Sequence, residues 1–101
     1  MSWYPLPEVI EAEVFTRVPD SFRKPGQRST WADTNRQGAP VECFIEGPSF
    51  DRAGNLYFTD IPWGRVFRAA PDGSVDLVAE YDGEPNGLRI HKDGRILITD
   101  S

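Results

Sequence analysis

EGPSFDRAGNLYFTD, residues 46–60, decides the fold, because the chain repeats its pattern at residues 86–100 as NGLRIHKDGRILITD. Overlaid without a gap, the two copies agree in their glycines and their last two residues: Gly47 and Gly87, Gly54 and Gly94, Thr59 and Thr99, Asp60 and Asp100. Their apolar positions agree as well, and each copy alternates as two short strands around a glycine turn do. A repeat of about forty residues built from short strands is typical of β-propeller blades.

The chain between the two copies completes one repeat. Residues 65–70 and 74–80 are predicted strands, and the Asp72-Gly73 pair between them favours a tight hairpin. Together with predicted strands at 49–51 and 56–60 this makes four strands, the complement of a propeller blade. The predicted fold is therefore all-β, with one four-stranded blade and the start of a second. A self-standing small β domain is the alternative.

These patterns divide the chain into three parts. Residues 1–40 are an N-terminal extension, which includes a long polar loop at 29–40 with Trp31 as its aromatic anchor. Residues 41–84 are the first blade, and residues 85–101 are the start of a second blade that stops within its repeat. Because a propeller needs about four to eight blades to close its ring, the remaining blades are expected outside these residues.

The composition favours a cytoplasmic protein that has neither nucleic acid nor membrane as its partner. A net charge of −5 and a pI of about 4.7 are the opposite of the basic surface that binds phosphate backbones. The sequence has no apolar run long enough to span a bilayer, and its N-terminus lacks the pattern of a secretion signal. With a single cysteine, Cys43, no internal disulfide is expected, which fits a reducing compartment.

Glu46 and Asn86 stand at equivalent positions of the two copies, each directly before a glycine. In a propeller the first strand of each blade lines the central channel, so residues at its beginning converge from every blade. A carboxylate near that channel is costly without a partner, and oxygen ligands suit a hard cation such as calcium or magnesium. Glu46 is thus a candidate metal ligand, with a solvated carboxylate or one capped by backbone amides as the alternative. Asn86 can offer an amide oxygen, or it can serve as a turn residue before glycine.

Four other side chains are interpreted as structural. Asp60 and Asp100 end matching strands, so each is expected to hydrogen-bond to the turn that follows. His91 occupies the place of Asp51, at the end of a strand before a turn, where a general base is not expected. Cys43 lies in an apolar run and is predicted to be buried filler rather than a nucleophile.

Three segments resemble the first blade of the gluconolactonase family, also called the senescence marker protein or regucalcin group: FIEGPSF at 44–50, GNLYFTDIP at 54–62 and GRVFR at 64–68. A further stretch is similar to the second blade of that family: PNGL at 85–88, followed by Gly94-Arg95 and Thr99-Asp100. The resemblance covers residues 41–101. Its most specific part is the combination of E-G-P-x-F with T-D-I-P at this spacing.

The resemblance implies a six-bladed propeller that holds one divalent cation in its central channel and hydrolyses sugar or related lactones. Calcium is the expected cation, with zinc, magnesium or manganese as alternatives. Glu46 matches a direct metal ligand of the family, and Asn86 is carried over as a substrate-binding residue that lines the pocket. The family's other ligands, an Asn and an Asp, come from later blades, so residues 1–101 alone are expected to be inactive. The catalytic residue stays unassigned, and a non-catalytic propeller that serves as a binding platform is the alternative function.

Overall fold

The computed structural model describes residues 3–101, and its strands form two antiparallel sheets. The first sheet has four strands in chain order: β1 (Ile45–Phe50), β2 (Leu56–Asp60), β3 (Arg65–Ala69) and β4 (Val75–Glu80). The second sheet pairs β5 (Pro85–Ile90) with β6 (Ile96–Asp100). Within the described residues neither sheet closes on itself, and helix is confined to α1 (Thr30–Asn35) and two 3-10 turns, Asp20–Phe22 and Ile61–Trp63. The all-β class predicted from the sequence is confirmed.

The first strand is longer than predicted. β1 begins at Ile45 rather than at residue 49, because Gly47 and Pro48 do not end the strand. They lie in a bulge, where the register of β1 against β2 shifts between Glu46 and Ser49. Glu46, expected just before the first strand, is therefore the second residue of that strand.

The sequence repeat is also a repeat of backbone hydrogen bonds. At the first glycine turn, the N–H of Asp51 donates to the carbonyl of Asn55 at 3.0 Å. At the second turn, the N–H of His91 donates to the carbonyl of Arg95 at 2.8 Å. His91 therefore takes the turn position of Asp51, as the sequence predicts, and its Nδ1 accepts the N–H of Asp93.

The Thr-Asp ends of β2 and β6 bind back to the residue that precedes each sheet. Asp60 Oδ1 accepts the backbone N–H of Phe44 at 2.8 Å, and Asp100 Oδ1 accepts that of Glu84 at 3.0 Å. Both aspartates thus have a structural role. For Asp60 the expected partner, a residue in the turn that follows, is wrong, whereas the turn that would follow Asp100 lies outside residues 1–101. The bonds instead fix the beginnings of β1 and β5 against the ends of β2 and β6.

In the first sheet this aspartate also belongs to a buried ion pair. Asp60 Oδ2 accepts from Nε and Nη2 of Arg65 at 2.9 and 2.7 Å, and both side chains are buried. The remaining guanidinium nitrogen, Nη1, donates to the carbonyl of Phe22 in the N-terminal segment at 2.6 Å. Both charges are therefore matched by hydrogen bonds. Through the bond to Phe22, the ion pair also joins the β2–β3 connection to the N-terminal segment.

The apolar core lies on one face of the four-stranded sheet. Phe58 and Phe67 project from β2 and β3, and Val18 and Phe22 of the N-terminal segment cover them. The rings of Phe22 and Phe67 meet edge to face, with their centroids 5.2 Å apart. Cys43 packs against this cluster and burial raises the pKa of its thiol, which agrees with the predicted filler role, but the residue is half-buried rather than buried.

Residues 29–40, predicted to form a long loop, contain the helix α1. Ser29 caps this helix, because its Oγ accepts the N–H of Ala32 at 3.1 Å. Trp31 packs against Phe44 with ring centroids 4.7 Å apart, so its predicted role as an aromatic anchor is right. α1 has six residues, and no helix in the described part of the chain is long and apolar enough to cross a membrane.

A backbone contact between β1 and β5 places the second sheet. A Cβ atom at Gly47 would lie 3.0 Å from the amide nitrogen of Leu88 and 3.2 Å from Cα of Gly87. Gly47 also has a φ of 63°, a conformation that favours glycine. Beside this contact, the hydroxyl of Ser49 donates to the carbonyl of Leu88 at 2.7 Å. The two strands therefore touch at Gly47 without a side chain between them.

The close contact predicts that Gly47→Ala is more destabilising than its backbone conformation alone requires. Gly26→Ala is the matched control, because Gly26 has a similar φ of 71° but no atom within 4 Å of its Cβ position. We expect Gly26→Ala to lower the free energy of unfolding by about 1–2 kcal/mol, the cost of a left-handed residue. Gly47→Ala should cost roughly 1–3 kcal/mol more, since β5 must move away from β1.

Urea unfolding of the longest natural chain that carries residues 1–101 measures both losses. Equal losses in the two variants would contradict a tight contact between β1 and β5.

The buried ion pair predicts unequal roles for two paired aspartates of the first sheet. Asp60→Ala leaves the Arg65 guanidinium buried without its carboxylate, and we expect the free energy of unfolding to fall by about 3–5 kcal/mol. Asp76→Ala removes a carboxylate that pairs with Arg68 on the exposed surface of the same sheet, and should cost about 1 kcal/mol or less. The same unfolding assay compares the two variants. Similar losses would mean that the ion pair does not set the stability of the first sheet.

Candidate functional site

Glu46 and Asn86, the two site residues predicted from the sequence, lie at the same end of β1 and β5. Each stands one residue before a glycine of the close contact, Gly47 or Gly87, so the contact sets their backbones side by side. Residues placed in this way on neighbouring strands can act on one ligand. We therefore take this strand end as the candidate site.

The Glu46 carboxylate is available to a ligand. The residue is exposed, and within residues 3–101 no donor hydrogen-bonds to its side chain. The hydroxyl of Thr59 instead donates to the backbone carbonyl of Glu46 at 3.1 Å, which holds the main chain and leaves the side chain untouched. A carboxylate capped by backbone amides, one of the alternatives predicted for Glu46, is therefore absent from the described part of the chain.

A hydrogen bond holds the side chain of Asn86. The hydroxyl of Thr99 donates to Asn86 Oδ1 at 2.7 Å. Thr99 comes this close because Gly87 has no side chain: a Cβ atom there would lie 2.5 Å from Thr99 Oγ1. The amide oxygen that the sequence offers as a ligand is thus engaged by Thr99, whereas Nδ2 has no acceptor among residues 3–101.

A groove of about 490 Å³ opens beside Glu46 on the face of the first sheet that carries the core. Its walls are apolar side chains of β1 and β2 and the N-terminal segment at residues 13–18, with Glu13, Arg17 and Glu46 as its charged members. Asn86 does not line this groove. The groove therefore belongs to the first sheet, and it shares Glu46 with the candidate site but does not reach Asn86.

The described residues fit part of a cation site. Within residues 3–101 no three His, Cys, Asp or Glu side chains are arranged to hold a metal ion. A free carboxylate such as that of Glu46 is nevertheless a suitable oxygen ligand for a hard cation. Glu46 can therefore supply one ligand, and any others must come from elsewhere or from water.

Two titratable groups in or next to the second sheet, His91 and Tyr81, have structural positions. His91 lies in the β5–β6 turn, at the opposite end of β5 from Asn86. Tyr81 donates to Asp100, and burial together with this bond raises the pKa of Tyr81 to about 12. Tyr81 therefore stays protonated near neutral pH and His91 lies away from Asn86, so neither group is suited to act as a general base at the candidate site.

Sequence reasoning misses two hydroxyls that shape the site, those of Thr99 and Ser49. Thr99 recurs as Thr59 in the first copy, and this recurrence is the signal that points to it. The recurrence does not reveal the partner, because the hydroxyl binds a backbone carbonyl in one copy and a side chain in the other.

Comparison with known proteins finds matches to part of the chain. The chain is 34% identical over 70 residues to Lactonase drp35 of Staphylococcus saprophyticus subsp. saprophyticus, a match that covers 67% of this chain and 20% of that relative. Over the same shares, Lactonase drp35 of Staphylococcus aureus is 30% identical in strain MRSA252 and 29% identical in strain bovine RF122. No protein-family model matches the chain, and no solved structure matches it significantly.

The match thus extends over about 20% of the length of these curated relatives. All three relatives carry the name of a lactonase. The matched stretch is 67% of this chain. These matches support, at most, a lactonase-like family for this part of the chain.

Proposed function

We propose that these residues form part of a metal-dependent hydrolase of sugar or related lactones, in which Glu46 is a ligand of the cation. The observation that carries the proposal is the free Glu46 carboxylate near the start of β1, beside the equivalent residue of β5. The likeness to Lactonase drp35 supports a lactone as the class of substrate.

The proposed architecture is a six-bladed β-propeller, in which the four-stranded sheet is the first blade and β5 with β6 begins the second. Three features support it: the repeated hydrogen bonds, the chain-order pairing of four strands, and the packing of β5 against β1 and β2. In such a ring β1 and β5 are the innermost strands of their blades. Glu46 and Asn86 then lie at one mouth of the central channel, where residues of the other blades also converge.

Calcium is the proposed cation, with zinc, magnesium or manganese as alternatives. Carboxylate oxygens are hard ligands, and calcium takes about six to eight oxygens in a flexible arrangement. Glu46 supplies one ligand, and later blades and water would supply the others. When bound, such a cation polarises a lactone carbonyl and lowers the pKa of a water ligand.

Glu46 contributes a negative carboxylate at a fixed position near the start of β1. Its carboxylate is bound to no donor among residues 3–101, so a cation displaces no hydrogen bond within this part of the chain. Its backbone is fixed by the Thr59 hydroxyl and by the contact at Gly47, which limits where the carboxylate can reach. Asn86 lines the substrate pocket at the neighbouring position.

Glu46→Gln tests the proposal, because it keeps the size and one oxygen of the side chain but removes the charge. In the longest natural chain that carries residues 1–101, we expect lactone opening to slow about a hundredfold, which corresponds to about 2.7 kcal/mol. Excess calcium should restore part of the rate, because the defect lies in cation occupancy and not in the fold. The measurement is the rate of D-glucono-δ-lactone opening against calcium concentration, with and without chelator.

Glu80→Gln is the control, since Glu80 is an exposed carboxylate at the end of β4 and undergoes the same chemical change. It should leave both the rate and its dependence on calcium unchanged. Full activity of Glu46→Gln in the presence of chelator would remove Glu46 as a ligand. A folded but inactive unchanged protein would favour the non-catalytic propeller that serves as a binding platform.

A further inference from the structure

We infer that Thr99 is a positioning residue, which turns the amide of Asn86 so that its N–H groups face a substrate oxygen beside Glu46. The inference rests on the proposed function and adds to it a division of roles between the two site residues. Glu46 takes the cation, and Asn86 donates a hydrogen bond to the carbonyl oxygen or a hydroxyl oxygen of the lactone.

The orientation of Asn86 follows from one hydrogen bond. Thr99 donates its hydroxyl to Asn86 Oδ1 at 2.7 Å, an ordinary distance for a bond between two oxygens. A carboxamide is planar, so a bond that fixes Oδ1 also fixes the direction of Nδ2 and its two N–H donors. These donors have no acceptor among residues 3–101. The group that Asn86 leaves open to a ligand is therefore a donor.

The first copy of the repeat uses the same hydroxyl differently. Thr59, which matches Thr99, donates to the backbone carbonyl of Glu46 at 3.1 Å and leaves the carboxylate alone. Thr59 thus leaves the negative side chain of Glu46 free, whereas Thr99 fixes the orientation of the neutral amide of Asn86. A carboxylate suits a cation, and an amide N–H suits an electron-rich oxygen. A lactone bound to a cation brings these two partners together: the cation binds the carboxylate of Glu46, and an oxygen of the lactone accepts from the amide of Asn86.

Gly87 provides the room for this bond. A Cβ atom at Gly87 would lie 2.5 Å from Thr99 Oγ1, so a larger residue would displace the hydroxyl from Asn86. Gly87 is not one of the described glycines with positive φ, so its backbone conformation does not require glycine. The space that it leaves for Thr99, and its contact with Gly47, account for the glycine instead.

Steady-state kinetics of D-glucono-δ-lactone opening, in the longest natural chain that carries residues 1–101, test the inference. Thr99→Val keeps the shape of the side chain and removes the hydroxyl. We expect its KM to rise about three- to tenfold, the effect of one lost hydrogen bond, with little change in kcat. Thr99→Ser keeps the hydroxyl and should stay within about twofold of the unchanged protein. Calcium activation should be the same in both variants, because Thr99 bonds to Asn86 and not to the Glu46 carboxylate.

Two further variants separate positioning from a general structural effect. In an Asn86→Ala background, Thr99→Val should add nothing to the loss, because the group that Thr99 orients is gone. Thr34→Val is the matched control, since it removes a threonine hydroxyl that bonds to the carbonyl of Thr30 in the exposed helix α1. It should behave as the unchanged protein does.

The results distinguish a failure of the role inferred for Thr99 from a failure of the proposed function. If the unchanged protein opens the lactone and Thr99→Val has the same KM, the inference is wrong while the proposed function stands. The same holds if Thr99→Val costs an equal factor without Asn86, if Thr99→Ser is as impaired as Thr99→Val, or if Thr34→Val shows the same loss. If the unchanged protein opens no lactone, the proposed function fails and the inference fails with it.

Discussion

The backbone contact between Gly47 and Gly87 is the constraint on which the arrangement of the two sheets depends. It lets β1 and β5 touch with no side chain between them at Gly47, and the Ser49 hydroxyl bond to β5 lies beside it. A contact between backbones leaves little freedom to repack, because interiors are dense and main-chain atoms cannot change rotamer. The residues before the two glycines, Glu46 and Asn86, are therefore set as neighbours by the same contact.

The two copies of the repeat share the backbone hydrogen bonds of their glycine turns and the bonds from their final aspartates to the residue before each sheet, but they differ in exposure. Asp60 is buried and paired with Arg65, and it connects the first sheet to the N-terminal segment. Asp100 is exposed and binds Tyr81, in a sheet whose Leu97 is 55% exposed. The first sheet thus has four strands and a core of its own, and the second offers apolar surface. In the proposed ring, further strands would cover that surface.

Much of the fold can be predicted from the sequence, because the repeat marks its strands twice. The predicted bounds of β2 are correct, and those of β3 and β4 differ by one residue. β1 is predicted too short, because glycine and proline usually end a strand and here lie in a bulge within it. α1 is missed, since six residues carry little periodicity and the helix depends on its cap at Ser29. The placement of Glu46 and Asn86 follows from the repeat, but the orientation of Asn86 does not, because Thr59 and Thr99 are the same residue with different partners.

The most direct test of the proposed site is an anomalous difference map at long wavelength, from crystals of the longest natural chain that carries residues 1–101, grown with calcium. We expect one peak about 2.3–2.6 Å from a carboxylate oxygen of Glu46, the usual calcium–oxygen distance. In the same map, Nδ2 of Asn86 should face the opening that holds the cation. A map without a peak at Glu46, or with its carboxylate bonded to backbone amides, would contradict the proposed cation site.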